Sequence, residues 1–150
     1  MRIVVALGAC AALALPLSLG GCSRAEAADP FTGTAWQLVS IESMAPDERP
    51  STTIDDPSAY TVDFGGDGRA AFRIDCNRGS ATWTFVPAAA DSGSLSFGPV
   101  AMTRMACRQP SVDAEVAAAL GRVRSYLLSD GLLHLSTEAD GGVMHWRPQE

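Results

Sequence analysis

The chain has 150 residues, 11 basic against 17 acidic, for a formal charge of -6. All 11 basic residues are arginine. An acidic chain without lysine is a poor electrostatic match for nucleic acid or for anionic lipid headgroups, so neither is an expected partner. The length fits one modest domain, and no internal repeat, heptad or proline-rich recognition segment interrupts it.

Met1 and Arg2 precede an apolar run from Ile3 to Leu19, and Gly20 and Gly21 then stand directly before Cys22. This is the layout of a bacterial lipoprotein signal over residues 1–21, in which the Cys22 thiol is acylated and becomes the mature N-terminus. Leu7-Gly8-Ala9-Cys10 has a similar shape, but too few apolar residues precede it. Two other readings stay open: cleavage at Ala25-Glu26-Ala27, which would release a secreted protein, and an uncleaved anchor, against which Pro16 argues. All of them export the domain. Ser23 rather than Asp after the cysteine resembles outer-membrane sorting in enteric bacteria, which would leave the domain facing the periplasm. Two or three acyl chains hold a protein at a membrane without a spanning helix. Residues 22–30 read as a flexible tether and residues 31–150 as the domain.

Residues 35–41 alternate as a strand, with Trp36 and Leu38 on one face. Residues 42–58 carry Pro46, Pro50 and Pro57 among Asp, Ser and Thr and predict mostly loop. Residues 60–64 alternate again, and Gly65-Gly66-Asp67-Gly68 turns the chain into a strand over 69–74. Residues 81–86 form the next strand, 87–94 a loop and 95–97 a short strand. Ser111 is the expected N-cap of a helix whose face carries Val112, Val116, Leu120 and Val123, with Gly121 as its stop. Strands follow over 123–128, 132–137 and 143–147, with turns at Asp130-Gly131 and Asp140-Gly141-Gly142. In the last hairpin a four-residue loop pairs Leu133 with Trp146 and Leu135 with Met144; a two-residue loop keeps the same four on one face. Either register places His134 and His145 together on the opposite, polar face.

Cys10 would leave with the signal and Cys22 take the lipid, so Cys76 and Cys107 remain as an even pair in an oxidising compartment. A bridge closing a loop of about 31 residues is worth roughly 3.7 kcal/mol in the chain-entropy model. Two buried thiols are the alternative; no C-x-x-C motif supports a redox role. Two histidines without a third ligand make an incomplete metal site, and Cys76, Cys107, His134 and His145 lack the close spacings of zinc sites. Asp63, Asp67 and Asp75 suggest calcium only weakly, because the EF-hand pattern is absent. No metal or cofactor is expected. The serines lack a G-x-S-x-G setting and no nucleophile–base–orienter set can be assembled, so no enzyme is expected.

The order Phe31-x-Gly33-Thr34-x-Trp36-x-Leu38, Phe64, Gly68-Arg69, Cys76-Asn77-Arg78, Thr103-Arg104-Met105-Ala106-Cys107, Glu115, Leu120, Tyr126 and Gly131-x-x-His134-Leu135 resembles the META/HslJ-like domain of bacterial envelope proteins. That family usually carries glycine before C-N, where this chain has Asp75. The resemblance implies a mainly β (α+β) fold, a small antiparallel, incomplete lipocalin-like β-barrel with one α-helix packed against it. It also implies a family with no established enzymatic activity and several stress-linked, lipidated or secreted members. The expected function is a non-catalytic, monomeric envelope lipoprotein that binds an envelope protein partner or stabilises envelope components under stress. A barrel carrying a small apolar or lipidic ligand and a periplasmic hydrolase inhibitor are the alternatives. Asn77, Arg78, Thr103 and Arg104 flank the two cysteines and form the candidate functional surface; the competing reading has them capping their own loops.

Overall fold

The computed structural model describes residues 29–44 and 51–150. The expected signal segment, Cys10, Cys22 and the expected tether before Asp29 lie outside the described residues, as does the middle of the proline-rich stretch.

Alternation of apolar and polar residues produces ten strands, and the positions that alternate inward form one core. The strands are β1 (Ala35–Ser43), β2 (Ser51–Thr53), β3 (Tyr60–Phe64), β4 (Arg69–Ile74), β5 (Asn77–Pro87), β6 (Ser92–Phe97), β7 (Ala101–Met102), β8 (Val123–Ser129), β9 (Leu132–Thr137) and β10 (Gly142–Pro148). One helix, α1 (Asp113–Leu120), interrupts them. The pairing order β10-β9-β8-β6-β5-β4-β3-β1 is antiparallel throughout, and β1 pairs with β10 to close an eight-stranded barrel. β2 adds to β1, and β7 to β5. The barrel therefore closes where the resemblance implied an incomplete one.

Closure depends on two bulges. In β1 the register passes from Leu38↔Trp146 to Ser40↔His145, which leaves Val39 as an extra residue. Trp36 and Leu38 point inward before it and Ile41 after it, so the inward parity changes along one strand. A second shift, around Arg124 in β8, does the same between Val123 and Tyr126. Such bulges let a twisted sheet curl shut.

The last hairpin has the predicted register, Leu133↔Trp146 and Leu135↔Met144, with His134 opposite His145. The Asp130-Gly131 turn holds both residues at positive φ (54° and 75°), the geometry of a tight two-residue hairpin, which Asp tolerates and Gly favours. Four sequence expectations need correction. Residues 51–53 form a strand rather than loop. β5 begins at Asn77, and β6 at Ser92, so the loop predicted over 87–94 shrinks to residues 88–91. The helix N-cap position falls on Val112; Ser111 still serves the helix end by accepting from the Asp113 amide at 3.3 Å. Gly121 sits in right-handed backbone (φ −66°), so α1 stops because the chain enters β8, not through a left-handed glycine.

The two barrel ends differ. The chain enters at Asp29–Thr34, beside the 65–68, 88–91 and 130–131 turns. The Cys76–Cys107 bond, α1 and the 138–141 turn lie at the opposite end, which α1 covers with fully buried Val116 and Leu120. At the entry end Phe31, fully buried, packs against Phe64, Trp83, Phe85 and Tyr126 at centroid distances of 4.9–5.9 Å. Phe97 continues the cluster to Phe64 and Phe72. Trp36, Phe72, Trp83 and Trp146 are all buried in this core.

Phe31 is held in place by Asp29, whose carboxylate accepts from the Phe31 and Thr32 amides and the Thr32 hydroxyl. Partial burial pushes this carboxyl up, but those three hydrogen bonds outweigh it and hold it below the ordinary value. Phe31→Ala is expected to cost about 3–5 kcal/mol in urea unfolding. The Asp29 contribution is present above the unfolded carboxyl pKa and is lost as pH falls through the lowered folded value. Asp29→Asn should therefore flatten the stability–pH curve below about pH 4, relative to wild type.

Candidate functional site

Cys76 and Cys107 are joined, with Cα atoms 5.5 Å apart. The bond fastens the segment after β7 to the β4–β5 turn, where Asp75 adopts a φ of 55°. Left-handed backbone at this position accounts for the glycine usual in the resembled family, and Asp is among the residues that tolerate it.

Asn77 anchors the loop. It is 3 % exposed, the first residue of β5. Its Oδ1 accepts from the Thr103 hydroxyl at 2.9 Å and the Met105 amide at 2.8 Å. Its Nδ2 donates to the Met105 carbonyl at 3.2 Å and to Asp113 Oδ2 at 3.3 Å. Both ends of one amide are thus used to fix residues 103–105 and the start of α1. Thr103 Oγ1 also accepts from the Arg78 amide at 3.0 Å, while the Thr103 amide donates to the Arg78 carbonyl. Gly79 follows because a Cβ there would stand 2.9 Å from the Ala101 carbonyl, where β7 lies against β5.

The bridge and these bonds bring Asn77, Arg78, Thr103 and Arg104 together, but in two kinds of place. Asn77 is spent inside the fold, and Thr103 is spent on Asn77 and Arg78 of β5. Arg78 is exposed and folds back onto the Asp75 and Asn77 carbonyls. Arg104 is exposed, with no hydrogen bond or ion pair among the described residues. Beside them lies a cavity of about 510 Å³ between residues 100–106 and Asp113, Ala114 and Ala117 of α1. Met105 stands at its rim, 60 % exposed. Sequence reasoning missed Val100, Met102, Met105 and Ala117. The Thr103–Cys107 motif was the one local signal for them, because their meeting with α1 depends on the bridge.

The histidines also meet. His134 Nδ1 and His145 Nδ1 are 2.7 Å apart, so one ring donates and the other accepts. Ser129 Oγ lies 3.1 Å from His134 Nε2, and Glu42 Oε1 lies 3.4 Å from His145 Nε2. The chain Ser129–His134–His145–Glu42 has the spacing of a nucleophile, base and orienter that could not be assembled from sequence. It runs across β8, β9, β10 and β1 on the outer face of the sheet. Its evident effect is to tie together the strands next to the closing seam. The cysteines are consumed by their bond and leave no thiolate for a zinc site. Asp67 serves the 65–68 turn by accepting from the Arg69 amide.

The sequence model of the META domain matches residues 29–150. None of the curated proteins matches the chain. Two solved structures share its fold. A protein from Burkholderia xenovorans, solved by NMR, has 21% identity and a TM-score of 0.62, over 85% of this chain and 94% of that one. A DUF4847 family protein from Bacteroides vulgatus has 16% identity and a TM-score of 0.55, over 81% and 97%.

Asn77→Ala is expected to cost about 1–3 kcal/mol, because the Met105 amide and Thr103 hydroxyl lose their acceptor. Arg104→Ala should stay within about 0.5 kcal/mol. Reducing the Cys76–Cys107 bond should cost up to about 3.7 kcal/mol, and urea midpoints of the oxidised and reduced protein measure it.

Proposed function

This chain belongs to the META domain family, and from that premise we propose that it works as a non-catalytic, stress-related envelope lipoprotein that binds a protein partner. The observation that carries the reading is the filled barrel. Phe31, Phe64, Phe97, Trp83 and Tyr126 are all buried and ring-packed. The outer surface and the loops are then what another molecule meets.

Strand direction supports a definite presentation. Residue 29 is at the entry end, so a lipid on Cys22, only seven residues earlier, would hold that end towards the outer membrane. β5, with 11 residues, spans on the order of 35 Å from the disulfide end to the entry end. The Asn77–Arg104 region would then face the periplasm, away from the bilayer. Asp29, Asp67, Asp91 and Asp130 cluster by topology at the entry end and would discourage close approach to anionic headgroups.

A second reading, a barrel holding a small ligand, draws on one observation. The indole N–H groups of Trp83 and Trp146 are buried with no acceptor among the described residues. Native mass spectrometry of protein released from membranes separates the readings: a retained ligand mass favours the second, an empty barrel the first. Lipidation is tested by radiolabelled fatty-acid incorporation in wild type and Cys22→Ser. Label is expected in wild type alone, and equal labelling would refute the anchor.

A further inference from the structure

Among the described residues barrel closure leaves strand edge uncovered along the short β2, which pairs only with β1, and along a longer stretch that begins in β6. β6 pairs with β8 only through Ser92, Gly93 and Ser94. Beyond them Leu95–Phe97 and then β7 bond inward to β5, and no other described strand lies on their outer side. The Thr103 amide bonds to the Arg78 carbonyl, so by strand alternation the main-chain groups of Met102 and Arg104 are directed outward. An open edge of this kind can pair with another extended chain.

That edge forms one wall of the 510 Å³ cavity, and α1 forms the other with the small side chains of Ala114 and Ala117. Val100 and Met102 supply apolar lining, and exposed Met105 supplies an apolar rim. The charges are asymmetric. The Asp113 carboxylate is already engaged by Asn77 Nδ2 and by Ser111 Oγ. The Arg104 guanidinium, on the same cavity, has no partner among the described residues. The groove therefore combines unused main-chain bonding capacity, apolar lining and a cationic group, Arg104, that no described carboxylate contacts.

We propose that this groove binds an extended, acidic peptide segment of a partner protein, added as a strand along β7 with a carboxylate on Arg104. The proposal rests on the partner-binding reading and names the surface and the chemistry of what it takes. The main chain of the incoming segment supplies the donors and acceptors that β8 supplies lower on the same edge. Its alternate side chains enter between Met102, Met105 and Ala117, and its acidic group pairs with the Arg104 guanidinium, which no described carboxylate contacts.

The test uses the purified full chain with the Cys76–Cys107 bond intact, isotope-labelled for NMR. The probes are an acetylated, amidated Thr-Val-Asp-Val-Asp-Val-Thr peptide, its counterpart with Lys for Asp, and the acidic peptide N-methylated at alternate residues. The acidic peptide should shift the amides of Met102, Arg104, Ala114 and Ala117. The lysine and N-methylated peptides should bind at least about tenfold more weakly. Arg104→Glu, an exposed substitution, should reverse the charge preference, and Ala117→Trp should block all binding. Equal binding of the acidic and lysine peptides, shifts confined to another face, or no binding of the acidic peptide up to about 1 mM would overturn the proposal. None of these outcomes depends on fatty-acid labelling at Cys22, so failure of the groove and failure of the anchor are separately visible.

Discussion

The pairing of β1 with β10 is the contact on which the rest of this molecule depends. It joins residues 35–43 to residues 142–148, almost the full length of the domain, and no other strand pair spans so much sequence. Chain closure of that length is entropically costly and is recovered only when the whole inward face is buried together. The Val39 bulge makes it geometrically possible by allowing Leu38 and Ile41 both to face inward. The hydrogen bonds from Ser129 through His134 to His145 run beside the same seam and link β8, β9 and β10, with Glu42 of β1 3.4 Å from His145 Nε2. The two central members of this chain, His134 and His145, share a face because the final hairpin takes its observed register.

A closed sheet has few free edges, so an edge that reappears beside a cavity acquires weight. β6 leaves β8 after three paired positions because the chain must travel to Cys107 and turn into α1. The disulfide fixes where that excursion returns, and Asn77 fixes its shape. Arg104 and Met105 then fall on a loop held by a covalent bond and by the four side-chain hydrogen bonds of Asn77 to Thr103, Met105 and Asp113. Such a loop loses less conformational freedom on binding than a flexible one would. Stability and presentation are therefore served by the same residues: Asn77 and the two cysteines are too deeply used in the fold to be free for contact, and they position Arg104 and Met105, which are free.

The division between ends gives the fold a direction. The entry end is organised by Asp29 and Phe31, a polar clasp and an aromatic plug two positions apart, and it carries mostly acidic turns. The opposite end is covered by α1 and the bridged loop. Function at a membrane surface would use that polarity, with attachment and recognition at opposite ends of the strands.

Strong local patterns were legible in the chain alone. Two-residue periodicity located most strands, glycine and aspartate marked the turns, and the final hairpin register followed from matching one apolar face. Cysteine arithmetic favoured the bridge. Strands without such a pattern were not legible: Ser51–Thr53 and Ser92–Ser94 are polar and small, and they become strands because a neighbour offers them hydrogen bonds. Bulges were equally invisible, since one extra residue changes parity without changing composition. The groove between residues 100–106 and α1, and the meeting of Ser129 with Glu42 through two histidines, join residues far apart in sequence. Only the closure of the sheet and the Cys76–Cys107 bond could bring them together, because what sets their distance is packing among elements rather than any local preference of the chain.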